Sequence, residues 1–269
     1  MFQLPRRLLG LGLTLAVAMT MQIGESRAAS IVNVFGDRFD LSIINSFYNA
    51  QPGVTSSIIA GTLNSNNLSG VNLLWAVQPA APYTPAELTT MSTYLAGGGR
   101  IAFMGEHGTF APDENNRISG AVASLGGTMS IINTLVDPGF RDATVANGQI
   151  LANPLTVGVT TYHYGAFAPL TLTGTAQTLM LGSDLTSVMM GYQNVGPGSI
   201  FLITDQNVWD NVNSPGNNNA VMFRNLLQAQ TGAPPVVPPV VTVPEPASAL
   251  LFGMGLLGLG MVRRRGRAV

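Results

Sequence analysis

The sequence predicts an α/β fold: an open, mostly parallel sheet with helices on both faces, plus short mixed strands and a hydrophobic helix at each terminus. Three observations carry this. The middle of the chain, residues 30–232, is long enough for one domain with a real core. Short β-branched runs there alternate with segments of helical periodicity. The stretch Leu73–Gly105 has the order strand, Pro turn, capped helix, Gly stop, strand, which is a βαβ unit.

In order, Ile31–Gly36 reads as a buried strand ending in a turn. Asp40–Tyr48 sets Leu41, Ile44 and Phe47 or Tyr48 on one helical face, stopped near Gln51-Pro52-Gly53. Ser57–Ala60 is a second strand, Thr62–Gly70 an Asn/Ser-rich loop and Val71–Val77 a third strand. Thr84-Pro85-Ala86-Glu87 is a capping box with Pro at the first helical position, where its missing N–H costs nothing. Leu88, Met91, Tyr94 and Leu95 form the apolar face of that helix, and Gly97-Gly98-Gly99 ends it. Arg100–Gly105 is the next strand. Asn116–Leu125 is a helix closed by Gly126-Gly127, and Ser130–Val136 is a strand. Short strands follow at Leu155–Val159, Leu170–Leu172, Gln177–Leu181 and Val188–Gly191. Gly198–Thr204 is the last core strand and delivers Asp205 to its carboxyl end. Asn217–Gln228 is the final helix, with Val221, Leu226 and Leu227 inward.

The two ends read as processing segments. Arg6-Arg7, the apolar run Leu8–Ile23 and Ser26-Arg27-Ala28 form a secretory signal peptide over residues 1–28, cleaved after Ala28. Residues 233–243 are a Pro/Val linker of polyproline type. Pro244-Glu245-Pro246 follows, then a charge-free helix at 247–262 and the cluster Arg263-Arg264-Arg265. Sixteen apolar residues are short for a full membrane span, where about 20 are usual. The arginines suit the cytoplasmic side. This order of features closely resembles the PEP-CTERM sorting signal of Gram-negative bacteria. The resemblance implies a protein that uses the Sec translocon and signal peptidase, is held in the inner membrane by its C-terminal helix, and is processed by an exosortase near the Pro-Glu-Pro for the cell surface or the extracellular medium. A biofilm exopolysaccharide is then a candidate partner.

Composition narrows the chemistry. The chain has no cysteine, which excludes disulfides, thiolate metal sites and a Cys nucleophile. All twelve basic residues are arginines, seven of them in the terminal segments. The middle keeps five against eleven carboxylates, 5 − 11 = −6, so nucleic acid is not a partner.

The layout of Leu73–Gly105, together with "GSIFLITDQNVWDN" and "NNAVMFRNLL", resembles the class I glutamine amidotransferase-like superfamily, of flavodoxin-like α/β type. In that family a Cys nucleophile stands on the turn after the fourth strand. Here the turn is Gly105-Glu106-His107-Gly108, so neither glutaminase nor cysteine-protease activity is expected.

Ligands of open α/β sheets bind beyond the carboxyl ends of the strands. Asp37 and Arg38, then Glu106, His107 and Asp113-Glu114-Asn115, then Asp205, Asn207 and Asp210 would converge there. Glu106, His107 and Asp205 are the catalytic candidates for a hydrolase acting on exopolysaccharide or peptide, with or without a metal. Asp37, Asn207 and Asp210 are candidate ligand contacts. The competing reading makes Asp37 and Asp205 caps of turns, in a non-catalytic binding or structural domain. No cofactor is expected. The oxygen-rich stretch Asp205–Asn219 leaves only Ca²⁺ open, without the spacing of an EF-hand. His163, between Tyr162 and Tyr164, either stacks with them in a sugar-binding patch or is a half-buried strand residue.

The sorting reading predicts that replacing Pro244, Glu245 and Pro246 by alanine leaves the longer form of the protein in the inner membrane. Cell fractionation and blotting would check this, and normal processing of the triple variant would overturn it.

Overall fold

The computed structural model describes residues 30–210 and 212–228. The signal segment with Ala28, the linker, and the tail with Pro244, Glu245, Pro246, Arg263, Arg264 and Arg265 lie outside the described residues. Among the described residues no helix is long and apolar enough to cross a membrane.

Among the described residues there are eleven strands and five α-helices, which alternate as far as Ser124. They run β1 (Ser30–Gly36), α1 (Leu41–Asn49), β2 (Val54–Ile58), α2 (Ser65–Leu68), β3 (Leu73–Val77), α3 (Pro85–Ala96), β4 (Arg100–Gly105), α4 (Pro112–Ser124), β5 (Met129–Ile131), β6 (Arg141–Thr144), β7 (Thr161–Tyr164), β8 (Leu170–Leu172), β9 (Gln177–Leu181), β10 (Val188–Val195), β11 (Gly198–Thr204) and α5 (Asn219–Gln228). The main sheet has the order β2-β1-β3-β4-β11-β10-β8-β5, with β9 also on β10. The block from β2 to β11 is parallel. From β10 onward the pairing is antiparallel. Strands β6 and β7 form a separate antiparallel pair.

Alternation along the parallel strands divides the core in two. Val32, Val34, Leu73, Trp75, Val77, Phe201 and Ile203 face α1 and α5. Leu74, Ala76, Ile101, Phe103, Ile200 and Leu202 face α2, α3 and α4. Period-two side chains buried on both faces are what a central parallel strand requires. On the first face, Phe47, Tyr48, Trp75, Trp209 and Phe223 form an aromatic cluster, with Trp209 stacked on Phe223 at 4.0 Å and 14°. The Tyr48 hydroxyl accepts from Trp75 Nε1 at 3.1 Å and donates to the Phe223 carbonyl at 2.9 Å, joining α1, β3 and α5.

The capping box of α3 forms as the sequence predicts. Glu87 N donates to Thr84 Oγ1 at 3.2 Å and Thr84 N to Glu87 Oε2 at 2.9 Å. Glu87 is also buried, accepting from Leu63 N at 3.1 Å.

Several boundaries differ from the sequence pattern. β2 occupies 54–58 rather than 57–60; an edge strand paired on one side imposes only a weak apolar period. The predicted 62–70 loop holds the single turn α2, because Asn64 and Asn67 close a capping box. α4 starts at Pro112, not Asn116, with Pro at N1 and Asp113 and Glu114 in the first turn. Asp113-Glu114-Asn115 is therefore helical rather than loop. β5 stops at Ile131, and Val136 makes only an isolated bridge with Phe167. Leu155–Val159 is not a strand: Asn153 caps a 3₁₀ turn at Pro154–Thr156, whose proline brings no N–H to a ladder. β6 and β7 escape the pattern altogether. α5 begins at Asn219 and buries Met222 and Phe223 fully, with Val221 only half-buried. Asn219 sets that rotation by bonding both the N–H and the carbonyl of His163.

Tyr48→Phe removes the acceptor of a buried indole N–H while keeping the ring. It should lower stability by about 1–3 kcal/mol. Urea denaturation, with an unchanged slope and a lower midpoint, checks this.

Candidate functional site

The site is built by strand register. Thr204 and Gly105 form the last rung between β11 and β4, so Asp205 and Glu106 leave the sheet as the next residues of adjacent parallel strands. Both carboxylates are buried. Glu106 Oε1 accepts from His107 N at 2.8 Å and Oε2 from Gln206 N at 2.9 Å. Asp205 Oδ1 accepts from Asn207 N at 2.8 Å and Oδ2 from Gly165 N at 2.5 Å. Four carboxylate oxygens thus meet four main-chain amides. Asp205 is also the cap of the 3₁₀ turn Gln206–Trp209.

Asn115, reaching over from the first turn of α4, holds the main chain of Glu106 from both sides. It accepts from Glu106 N at 3.0 Å and donates to Glu106 O at 2.7 Å. Gly105 leaves no room there for a side chain, since a Cβ would lie 2.4 Å from Asn115 Oδ1.

Burial dominates the electrostatics. It pushes the Glu106 carboxyl up to about 7, against the two amide bonds that lower it, with Asp210 adding a smaller upward effect. Asp205 is raised well above the usual carboxylate range, first by burial and then by the charge of Glu106. Two desolvated carboxylates side by side cannot both ionise easily. Burial lowers His107. Its Nε2 lies 3.9 Å from Glu106 Oε1, and its Nδ1 lies 2.9 Å from Thr109 Oγ1.

The remaining candidates tie loops together. Asp37 Oδ2 accepts from Ala80 N at 2.8 Å, joining the loops after β1 and β3. These strands also touch closely: a Cβ on Gly36 would lie 2.1 Å from the Val77 carbonyl oxygen. At this reversal of strand order, where an open α/β sheet usually takes its ligand, the two loops are tied to each other by the Asp37–Ala80 bond. Arg38 pairs with buried Glu114 at 2.9 Å and lies over the exposed Phe110 ring at 5.4 Å. Asn207 Nδ2 donates to Asp210 Oδ2 at 2.8 Å. No group of three or more His, Asp or Glu side chains able to hold a metal forms among the described residues. In the oxygen-rich stretch, Asp205 is held by amides, and Asn218 Oδ1 accepts from Thr160 and Thr161.

Sequence reasoning missed Gln78 and Gln206. Gln78 is fully buried with φ +33, donates Nε2–H to Gln206 Oε1 at 3.0 Å, and leaves its own Oε1 without a protein partner. A glutamine between a buried strand and a proline was the only available signal. His163 lies on β7, half-buried. It stacks on Phe140 rather than on Tyr162 and Tyr164, which point to the opposite, fully buried side.

Comparison with known proteins places the two parts of the chain. Residues 242–265 match the PEP-CTERM protein-sorting motif. The chain is thus an exported protein carrying an exosortase sorting signal, which implies passage through a membrane before surface display. No curated protein matches the sequence. The described fold is similar to the mmIFT52 N-terminal domain, at 16% identity and a TM-score of 0.62, over 76% of this chain and 100% of that one. It is also similar to the cytoplasmic protein STM1381 from Salmonella typhimurium LT2, at 11% identity and a TM-score of 0.55, over 76% and 100%. The cytoplasmic protein STM3548 from Salmonella typhimurium stands at 10%, 0.54, 75% and 100%. These likenesses define a mixed α/β fold with a large central sheet flanked by helices, and nothing about activity.

Unfolded, the Glu106 carboxyl ionises near its ordinary 4.5; folded, it keeps its proton up to about 7. Between these values the folded state binds more protons, so stability falls as pH rises through the window. Asp205 acts in the same direction. Glu106→Gln should flatten the fall between pH 4.5 and 7 by an amount on the order of 3 kcal/mol. Thermal or urea unfolding of both proteins across that range checks the sign.

Proposed function

We propose that the mature domain, residues 30–232, is a non-catalytic binding or structural domain displayed at the cell surface or in the extracellular matrix, on an amidotransferase-like scaffold without its nucleophile. The observation that carries this is the engagement of all four oxygens of Glu106 and Asp205 by main-chain amides. A general base needs a lone pair directed at a substrate proton. Here every oxygen of both carboxylates already holds its own loop or a neighbouring one by one bond, and both groups are buried. Asp37 acts in the same way across the crevice where a ligand would otherwise enter. The complete lack of cysteine agrees, since the turn that would bear the nucleophile bears Glu106 instead. Processing by an exosortase would release an acidic domain from its arginine-rich tail, suited to remain soluble outside the membrane.

The mature protein should leave exopolysaccharide and peptide substrates intact, with no new reducing ends or free amines after prolonged incubation. Turnover that disappears in both Glu106→Gln and Asp205→Asn, in variants that remain folded by circular dichroism, would overturn this reading in favour of a hydrolase.

A further inference from the structure

A second region carries ligand-binding features that the closed sheet edge lacks. Two clefts lie on either side of the loop 213–217. One, of about 770 Å³, runs along α1 and is lined by the apolar Ile43, Phe47, Trp209 and Val212 together with Ser46 and Asp210, among others. The other, of about 350 Å³, is lined by Asp142, His163, Gly216 and Asn217. Ser214 and Pro215 line both, so the clefts share a wall.

The smaller cleft is organised by register. Asp142 and His163 are directly opposed across the β6–β7 pair, and Asp142 Oδ1 lies 2.8 Å from His163 Nδ1. The imidazole is therefore held edge-on by a carboxylate. Phe140, two residues before Asp142 and on the same side, stacks on it at 5.4 Å and 7°. Phe140 is 60% exposed, more than any other aromatic residue of the described chain. A phenyl ring kept in water costs free energy unless something covers it, and this one is immobilised by its stack. The loop is fixed as well. Asn218 Oδ1 accepts from Thr160 N at 3.0 Å and Thr161 N at 3.1 Å, and Asn219 bonds both main-chain groups of His163.

The lining chemistry selects the ligand. Among the described residues no arginine lines either cleft. Arg141, the neighbour of Asp142, is directed instead to Asp137, 3.8 Å away. Phosphate, sulfate or uronate groups would face Asp142 and Asp210 with no arginine to meet them. Neither carboxylate is a bare charge inviting a cation, because Asp142 is bonded to His163 and Asp210 to Asn207. What remains is hydroxyl, amide and apolar chemistry, with the exposed Phe140 ring stacked on His163, which lines the smaller cleft. We infer that these two clefts and the Phe140–His163 stack form a binding site for a neutral oligosaccharide. A pyranose C–H face, with its partial positive charge, covers the negative face of Phe140. The Asp142 carboxylate bonds a hydroxyl at its edge. The second cleft takes the neighbouring sugar units across the Ser214-Pro215 wall. The site adjoins Asp205, which caps the turn ending at Asp210, but it uses neither the Glu106 nor the Asp205 carboxyl.

Calorimetric titration of the mature protein with cellotetraose, maltotetraose, β-1,3-glucan tetrasaccharide, tetragalacturonate and chitosan tetramer tests this. At least one neutral tetrasaccharide should bind, Phe140→Ala should weaken it roughly tenfold or more, and Phe140→Tyr should retain it. Asp142→Ala should weaken it too, by freeing the imidazole. Circular dichroism and melting temperature should show both alanine variants folded, which exposed positions permit. Binding of none of the neutral sugars would overturn the assignment. So would preference for the galacturonate or chitosan probe, or unchanged affinity in folded Phe140→Ala.

Discussion

The parallel register between β4 and β11 is the constraint on which the carboxyl edge of this sheet depends. One rung, Thr204 with Gly105, puts two acidic residues side by side beneath the loops. Left alone, two buried carboxylates would repel and pull the strands apart. The structure meets this by giving each oxygen a main-chain N–H and by letting burial hold protons on the pair. The result is a knot in which the ends of β4 and β11 and the segment after β7 share bonds. Asn115 extends it to α4, and Gln78 with Gln206 extends it to the end of β3.

That knot ties together the loops at the edge where such a fold usually takes its ligand. The loops after β1 and β3 close on each other through Asp37 and Ala80, and Gly36 allows backbone against backbone. Polar residues at strand ends are usually scanned for catalysis, but the same residue types are the best available partners for orphan amides. Number of hydrogen bonds accepted, rather than position, distinguishes the two roles here. The parallel sheet serves as the rigid base, and the antiparallel additions carry the surface.

Much of the architecture was readable in sequence because it rests on local physics. Thr84, Pro85 and Glu87 make a capping box whatever surrounds them, and Ile200–Ile203 is apolar on both faces because it lies mid-sheet. Boundaries went astray where a side chain from elsewhere decided them, as with Asn219 and the rotation of α5, or Asn153 and the turn at Pro154. The candidate site was readable only as a set of residues. Glu106, His107 and Asp205 do gather at one edge, but nothing in the sequence tells which amides their oxygens face. Gln78 carried no pattern, since its role arises from a single contact 128 residues away.

By itself the sequence determined the C-terminal sorting motif, the absence of thiol chemistry, the acidic character of the middle and the α/β class. Each follows from composition or from contacts within a few residues. Only the tertiary structure decided that the carboxyls of the acidic edge meet main-chain amides, and that exposed Phe140 stacks on His163 while Asp142 bonds it. Those outcomes depend on the register of strands far apart in the chain: 99 residues separate Glu106 from Asp205 along the sequence. A one-residue slip in either ladder would send every one of these side chains to the opposite face.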